Sequence, residues 1–222
     1  MGLKITNVAD KPLVWLYGVI GDSYEGITAD MFRKALAEIP TKQPIEVRIQ
    51  SEGGSYFEGI AIHSLLKGRK GATSVIVDGL AASAASLVAM AGTTVEMARG
   101  SWMMIHEAHG AMHGTEKDFR EHADILKAMN EQVADIYFAR WKGNKTELRS
   151  AIAAETWLTA EEAVAFGLAD SISNSMAIAA RVDAKKFGFG KVPESLTNVE
   201  LPRLKAAEEV LGGLFKETSD ES

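Results

Sequence analysis

The most informative stretch of this chain is Gly79-Leu80-Ala81-Ala82-Ser83-Ala84-Ala85-Ser86. The hydroxyl of Ser83 stands among residues that are too small to crowd a group approaching it. Upstream, an alternating apolar run ends at Ser51-Glu52-Gly53-Gly54, where a glycine pair can bring backbone N–H groups close to a ligand. Downstream, Met104-Ile105-His106 supplies a histidine. The chain therefore contains candidate oxyanion donors, a candidate nucleophile and a candidate base, in that order.

These motifs resemble the proteolytic subunit of the Clp protease (ClpP), in which a glycine pair, Gly-x-Ala-x-Ser and Met-Ile-His follow in the same order. The resemblance extends over about residues 13–173. Three segments, Phe57–Ile62, Asp78–Ser83 and Glu155–Ala163, are most similar to the phage and prophage branch, whose members are head-maturation proteases. The resemblance implies an α/β fold, the ClpP/crotonase-like superhelix of β-β-α units, with a protruding handle helix.

Composition limits the class of protein. The chain has 222 residues, 46% of them hydrophobic and 24% charged, which suits one globular domain with an appendage. A net charge of −6 argues against a nonspecific nucleic-acid binder, and the lack of cysteine excludes disulfides and thiol catalysis. No secretory signal or membrane-spanning run is apparent. We therefore expect a cytoplasmic protein, in the bacterial host cytoplasm if phage-encoded, with no membrane or nucleic-acid partner.

Strands and helices are predicted to alternate along the first half of the chain. The predicted strands cover residues 13–20, 45–49, 73–77, 94–97 and 102–106. The predicted helices cover residues 28–39 and 56–70, and a third begins near Ser83 and ends before Gly92. This alternation predicts a mainly parallel sheet.

A long amphipathic helix is predicted over residues 116–141, where apolar residues recur at three- and four-residue spacing. The resemblance implies that a region of about residues 109–142 forms the handle. Its strand, at residues 109–114, would pair subunits across two rings. The alternative is a helix packed on its own sheet.

The chain divides into three predicted parts. Residues 1–12 form an N-terminal segment, residues 13–173 the protease domain, and residues 174–222 a C-terminal extension with a short amphipathic helix opened by Pro202. Within the domain, Thr159 and Glu162 have the spacing of a capping box that starts a short helix.

The chemistry expected of Ser83 needs a base. Its hydroxyl is a poor nucleophile until a base removes the proton, and histidine is suited to that task near neutral pH. By the resemblance, His106 is that base. At a helix N-terminus, Ser83 would also lie where unpaired N–H groups favour an oxyanion.

The oxyanion hole is expected from main-chain donors: the N–H of Ala84 on one side and that of Gly53 or Gly54 on the other. The sequence departs from the family at two of these places. Glu52 stands where proline often precedes the glycines, and Ala84 stands where methionine often follows the serine. Both changes leave the backbone donors in place.

The third catalytic residue expected from the resemblance is Glu155, because the family aspartate precedes an aromatic-Leu-Ser/Thr-Ala motif that matches Trp157–Ala160 here. A glutamate can accept a hydrogen bond from the histidine Nδ1–H. An alternative is that Glu155 only caps or solvates the turn, and Asp170 is then the fallback acid.

Two further alternatives concern the same region. Ser86 lies three residues beyond Ser83, but packing within the helix is its expected role. His106, His109 and His113 have a spacing that invites a metal site, yet such a site needs converging geometry. We expect neither a metal nor a cofactor.

The function implied by the resemblance is that of a serine endopeptidase hydrolase, ATP-independent or weakly coupled to an unfoldase. The few residues before the first predicted strand argue against axial loops and hence against a stable unfoldase complex. The expected partners are copies of the chain, in rings of seven subunits stacked in pairs, and phage capsid or scaffold polypeptides. The alternatives are a catalytically silent scaffold of the same fold and a crotonase-type acyl-CoA enzyme.

Overall fold

The structure is a computed structural model that describes residues 2–8, 11–21, 26–177, 180 and 182–197. Its strands are β1 (Leu3–Val8), β2 (Lys11–Tyr17), β3 (Ile45–Ser51), β4 (Thr73–Ala82), β5 (Thr94–Arg99), β6 (Trp102–Ile105), β7 (Thr156–Thr159) and β8 (Ser171–Met176). Its helices are α1 (Ala29–Ala37), α2 (Tyr56–Lys67), α3 (Ala84–Ala89), α4 (Glu116–Phe138), α5 (Lys145–Ala153), α6 (Ala160–Phe166), α7 (Ala184–Phe187) and α8 (Glu194–Thr197).

The main sheet has the strand order β1-β2-β3-β4-β5-β8. From β2 to β8 the neighbours run parallel, and only the edge pair β1–β2 of this path is antiparallel. Connections through α1, α2 and α3 join the parallel strands, as short crossovers require. The predicted α/β architecture with a mainly parallel sheet is confirmed.

Strand β4 changes its neighbour along its length. Its residues Ser74–Val77 pair with β5, whereas Leu80–Ala82 pair with β6, which in turn pairs antiparallel with β7. The end of β4 still pairs with β3 through Ala81 and Ser51, and it also begins a side branch of the same sheet, a small sheet of β4, β6 and β7. This small sheet carries the residues of the candidate site.

The core lies between the main sheet and its helices. In β3 every second side chain is buried, as expected where one face packs on helices. Close approach of α2 to α3 requires Gly59, since a Cβ there would lie 2.9 Å from the Cβ of Ala84. A larger residue at position 84 would crowd this contact, which explains the small residue found there.

Helix α4 is more exposed in its N-terminal half than in its C-terminal half. Its buried residues are Val133, Ala134 and Tyr137, all in the C-terminal half. In the N-terminal half Phe119 is 53% exposed and Ile125 is 51% exposed. The expected strand at residues 109–114 is irregular in the single chain. Its pairing with another subunit stays a prediction.

Six of the described elements were not predicted: β1, β7, β8, α5, α7 and α8. Residues 3–8 form β1, although the sequence had placed residues 1–12 outside the domain, and β8 runs through the expected boundary at residue 173. Both are edge strands, and β8 is largely polar and exposed, so its apolar periodicity is weak. Helix α5 does carry signals, an Asn144 capping box and two buried residues at helical spacing, Leu148 and Ile152. The helix predicted from Pro202 lies outside the described residues.

Candidate active site

Ser83 occupies a sharp turn between β4 and α3. Its φ is 54°, in the left-handed region that residues other than glycine seldom adopt. Its N–H continues the β4–β6 ladder by donating to Met104 O at 3.0 Å. Although Ser83 is the N-cap of α3, its side chain makes no capping hydrogen bond. The hydroxyl is therefore available to another partner.

That partner is His106, the residue directly after β6. The distance between His106 Nε2 and Ser83 Oγ is 2.7 Å. In the tautomer that carries its proton on Nδ1, the imidazole accepts this hydrogen bond from the serine. The pKa of His106 is lowered to about 4, mainly by burial and to a smaller extent by neighbouring His109. His106 is therefore neutral near pH 7, as a proton acceptor must be.

Glu155 lies on the other side of His106 because of the antiparallel register of β6 and β7. The last pair of that ladder is Ile105 with Thr156, so the next pair in register would be His106 with Glu155. Glu155 has φ 52°. Its negative charge raises the pKa of His106, opposing the effect of burial.

The carboxylate of Glu155 is held by three N–H groups. Oε2 accepts from Gly190 N at 2.8 Å, and Oε1 accepts from Lys191 N at 2.7 Å and from Trp157 Nε1 at 3.1 Å. Burial raises the pKa of Glu155, but these donors outweigh burial and hold it below its ordinary value. No hydrogen bond joins Glu155 to His106 among the described residues.

The glycine pair lies directly against Ser83. Gly53 has φ 89°, and a Cβ there would lie 2.8 Å from Ser83 Cβ. Its N–H already donates to Ser51 Oγ at 3.0 Å. Gly53 O and Ser55 N both bond to Ile20, so the intervening Gly54 N–H points away from Ile20. Of the two glycines, Gly54 therefore has the N–H that is free to face a ligand.

Asp170, the fallback acid, makes its contacts away from Ser83 and His106. It accepts from Val95 N at 2.7 Å and from an Nη atom of Arg140 at 2.5 Å. These bonds join the start of β5 to the residues after α4. Asp170 is not brought to His106.

Ser86 is buried and its hydroxyl lies within hydrogen-bond distance of three oxygens. The distances from its Oγ are 2.6 Å to Ser83 O, 2.9 Å to Met104 O and 2.7 Å to Tyr137 Oη. Tyr137 is fully buried, which raises its pKa above the ordinary range. This hydrogen bond was missed from the sequence, although Tyr137 lies one turn after Val133 in the predicted helix.

Two cavities open beside Ser83. One of about 310 Å³ is lined mainly by apolar residues, among them Leu87, Leu126 and Met129. The other, of about 410 Å³, is bounded by Gly54 and Ser83 on one side and by residues 185–189 on the other. In the described residues no three His, Asp or Glu side chains converge as a metal site would require.

A sequence model of the family described as Clp protease matches residues 8–176. The chain belongs to the Clp protease family. This family consists of serine peptidases that form homo-oligomeric rings and act on polypeptides. The first expectation from sequence, a ClpP-like chain, is thus confirmed at the level of the family.

Several relatives of this Clp protease family member bear the name ATP-dependent Clp protease proteolytic subunit. Subunit 1 of Leifsonia xyli subsp. xyli is 26% identical over 76% of this chain and 86% of its own length. Subunit 1 of Chlamydia abortus is 31% identical over 59% of this chain and 70% of its own length.

The fold has a solved counterpart in a point mutant of ClpP1 from Listeria monocytogenes. The TM-score is 0.65 at 22% identity, and the match covers 72% of this chain and 90% of the solved one. This likeness supports the ClpP fold. Separately, none of the helices in the described ranges has the length and apolar composition needed to span a bilayer.

Proposed function

We propose that this Clp protease family member is a serine endopeptidase in which Ser83 is the nucleophile and His106 the general base. The observation that carries the proposal is the 2.7 Å distance between Ser83 Oγ and His106 Nε2. A strained turn at Ser83 and a neutral, partly buried His106 add to it. The residues match the order that the family motif requires.

The reaction needs two half-steps. Ser83 Oγ attacks the scissile carbonyl carbon while His106 Nε2 takes the hydroxyl proton. The tetrahedral intermediate collapses, and the leaving amine takes that proton from His106. Water then attacks the acyl-enzyme with His106 again as base, which releases the acid product and restores the serine.

Backbone N–H groups stabilise the oxyanion of both intermediates. We assign this role to Ala84 and Gly54, since Gly53 N–H already has Ser51 as its acceptor. One such donor contributes on the order of 10²–10³ in rate. The sequence left the second oxyanion donor open between Gly53 and Gly54, and we propose Gly54.

Glu155 is the proposed acidic member of the site. It stabilises the imidazolium that forms on His106 through its charge, and three N–H donors keep it ionised and in place. Asp170 has a structural role in this proposal, because its carboxylate already bonds Val95 and Arg140.

The proposed assembly is a pair of stacked rings of seven subunits, formed through the handle. Support comes from the exposed apolar side chains of Phe119 and Ile125 on α4. Contact with a second subunit would remove this surface from water. A monodisperse monomer at micromolar concentration by light scattering would exclude such an assembly.

The proposed setting is phage head maturation in the bacterial cytoplasm, with capsid or scaffold polypeptides as substrates. It rests on the three segments that are most similar to the phage branch. Acylation and deacylation consume no nucleotide, so we propose activity that is ATP-independent or weakly coupled to an unfoldase. Stable co-purification of an unfoldase would contradict the weak coupling.

Labelling by a fluorophosphonate tests the central proposal. The expected result is one covalent adduct per subunit at Ser83, and none in Ser83→Ala at the same native mass. A catalytically silent scaffold would assemble without any adduct. A crotonase-type enzyme would turn over acyl-CoA thioesters. That activity does not require the Ser83–His106 pair.

A further inference from the structure

Residues 182–197 of the C-terminal extension pack against the small sheet that carries the candidate site. We call these residues the C-terminal segment. They lie beyond residue 176, where the match to the family ends. Val182, Phe189 and Leu196 are buried in a separate apolar cluster with side chains from the end of β4 and from β6, namely Leu80, Ala82 and Met104. The segment is therefore anchored on the strands that position Ser83 and His106.

The first contact with the site is made by Phe189. Its ring centroid lies 5.6 Å from that of His106 and 5.7 Å from that of Trp157, both in edge-to-face geometry. Phe189 is only 7% exposed. The ring thus covers one side of the imidazole and contributes to the burial that keeps His106 neutral.

The second contact is made by the main chain that follows. The N–H groups of Gly190 and Lys191 donate to the two different oxygens of Glu155, at 2.8 and 2.7 Å. The Nζ atom of Lys191 also donates to Ala154 O at 2.5 Å. Hydrogen bonds from N–H groups to an ionised carboxylate are among the stronger ones in proteins. Both oxygens of Glu155 therefore have their positions set by the C-terminal segment.

The same segment also closes the larger cavity beside Ser83. Lys185, Lys186 and Phe187 form the wall that faces Gly54 and Ser83. The C-terminal segment and the glycine pair therefore line the same cavity. The segment thus lines the cavity beside Ser83 and also contacts His106 and Glu155.

We propose that Phe189, Gly190 and Lys191 are positioning residues of the serine peptidase site, through which the C-terminal segment shields His106 and fixes the Glu155 carboxylate. This inference rests on the proposed function. The C-terminal segment, which lies outside the family match, would thus position the catalytic residues. Removing the Phe189 ring or a backbone donor to Glu155 should change the basicity or the support of His106. Neither change removes a reacting atom.

Among the described residues, few charged or titratable groups lie around His106 and Glu155. His106 faces Glu155 and His109, and Glu155 faces His106 and the backbone of Lys191. Lys185 and Lys186 lie across the cavity. A change at Phe189 alters none of these charges, so a shifted pH profile in its variants reports water reaching His106.

The experiment measures the rate of fluorophosphonate labelling of the assembled full chain between pH 3.5 and 8. For wild type, the acid limb should have its midpoint near pH 4, the pKa of His106. Phe189→Ala should move that midpoint upward by about one pH unit, because loss of the ring relieves the desolvation that depresses the histidine pKa. Phe189→Leu, which keeps an apolar side chain, should give a smaller upward shift and also serves if Phe189→Ala does not fold.

The backbone donor is tested by a pair of variants. Lys191→Pro removes both the N–H and the ammonium group, whereas Lys191→Ala removes only the ammonium group. The φ of Lys191 is not positive, so a proline is not excluded by its sign. Labelling at pH 7 should be roughly tenfold slower in Lys191→Pro than in Lys191→Ala, because the carboxylate beside the base loses one of its supports.

Leu196→Ala is the control for stability. Leu196 is buried in the same cluster but is in contact with neither His106 nor Glu155 among the bonds and ring contacts described. It should lower the melting temperature while leaving the midpoint near pH 4. Equal shifts in Leu196→Ala and Phe189→Ala, or equal rates in the two Lys191 variants, would overturn the inference. Absence of labelling in wild type would instead overturn the proposed function.

Discussion

The hydrogen-bonded pair of Ser86 and Tyr137 lies next to the nucleophile. We expect that the two substitutions which break this hydrogen bond lower the free energy of unfolding by different amounts. Ser86→Ala removes the only acceptor that the described structure provides for the Tyr137 hydroxyl, which is fully buried. Tyr137→Phe removes the tyrosine hydroxyl but leaves Ser86 Oγ with two carbonyl acceptors, Ser83 O and Met104 O. The two substitutions cut the same hydrogen bond with unequal consequences.

The inequality follows from what each variant leaves unpaired. A buried polar group without a partner costs about 1–3 kcal/mol, whereas loss of one bond from a group that keeps others costs about 1 kcal/mol. The carbonyls freed by Ser86→Ala still accept backbone N–H groups, those of Ser83 and Leu87 among them. We therefore expect Ser86→Ala to lower the free energy of unfolding by about 2–3 kcal/mol and Tyr137→Phe by about 1 kcal/mol.

The double variant removes both hydroxyls and leaves no orphaned tyrosine. Its loss should fall short of the sum of the single losses by roughly 1–2 kcal/mol. Urea unfolding of all four proteins at one protein concentration measures these differences, because assembly makes stability depend on concentration. Fluorophosphonate labelling at Ser83 should stay within about tenfold of wild type in Ser86→Ala, since the Ser83–His106 bond is retained.

Two stability results would refute this reasoning. Destabilisation by Tyr137→Phe as large as that by Ser86→Ala would mean that the tyrosine hydroxyl finds another partner. Full additivity in the double variant would mean that the two hydroxyls do not interact. Loss of labelling in Ser86→Ala with labelling retained in Ser83→Ala would instead move the nucleophile to Ser86.

Three further predictions concern the site itself. Because the folded pKa of His106 is about 4, below the unfolded 6.5, the unfolded state binds the proton first as pH falls. His106 should therefore reduce the free energy of unfolding by about 3 kcal/mol between pH 6.5 and 4, and pH-dependent urea unfolding of wild type against His106→Gln measures this loss. Glu155→Gln should lower single-turnover acylation by on the order of 10–10⁴-fold at unchanged native mass, whereas Asp170→Asn should lower stability with little change in turnover; the reverse pattern would transfer the acidic role to Asp170. Gly54→Ala places a Cβ against Ile20 O at φ 135°, so labelling should slow by roughly 10²-fold or more, and an unchanged rate would remove Gly54 from the oxyanion hole.

Much of the catalytic arrangement was accessible from sequence because it is encoded by local motifs. The glycine pair, Ser83 and His106 each stand at the end of a strand, and the order of these strands places them in neighbouring loops. Helix α6 was predicted through its Thr159 capping box, which the structure confirms. Such signals depend on residues three or four positions apart, so they survive without knowledge of the fold.

The assignment of Glu155 came from register with a family motif, and the structure adds what a motif cannot carry. Its carboxylate is held by the backbone of Gly190 and Lys191, 35 and 36 residues later in the chain. Backbone N–H groups are present at every residue except proline, so no side-chain pattern indicates which of them will bind a given carboxylate. The choice of Gly54 over Gly53 likewise depends on which N–H Ser51 has already taken.

By itself, the sequence determined the α/β class, the long amphipathic helix and the nucleophile and base candidates, because periodicity and short motifs are properties of neighbouring residues. Only the tertiary structure decided that Tyr137 supports the serine turn from behind, that Asp170 bonds Arg140, and that the C-terminal segment covers His106. Each of these depends on packing between residues at least thirty positions apart in the chain. Such contacts follow from the path of the whole backbone, which no local pattern specifies.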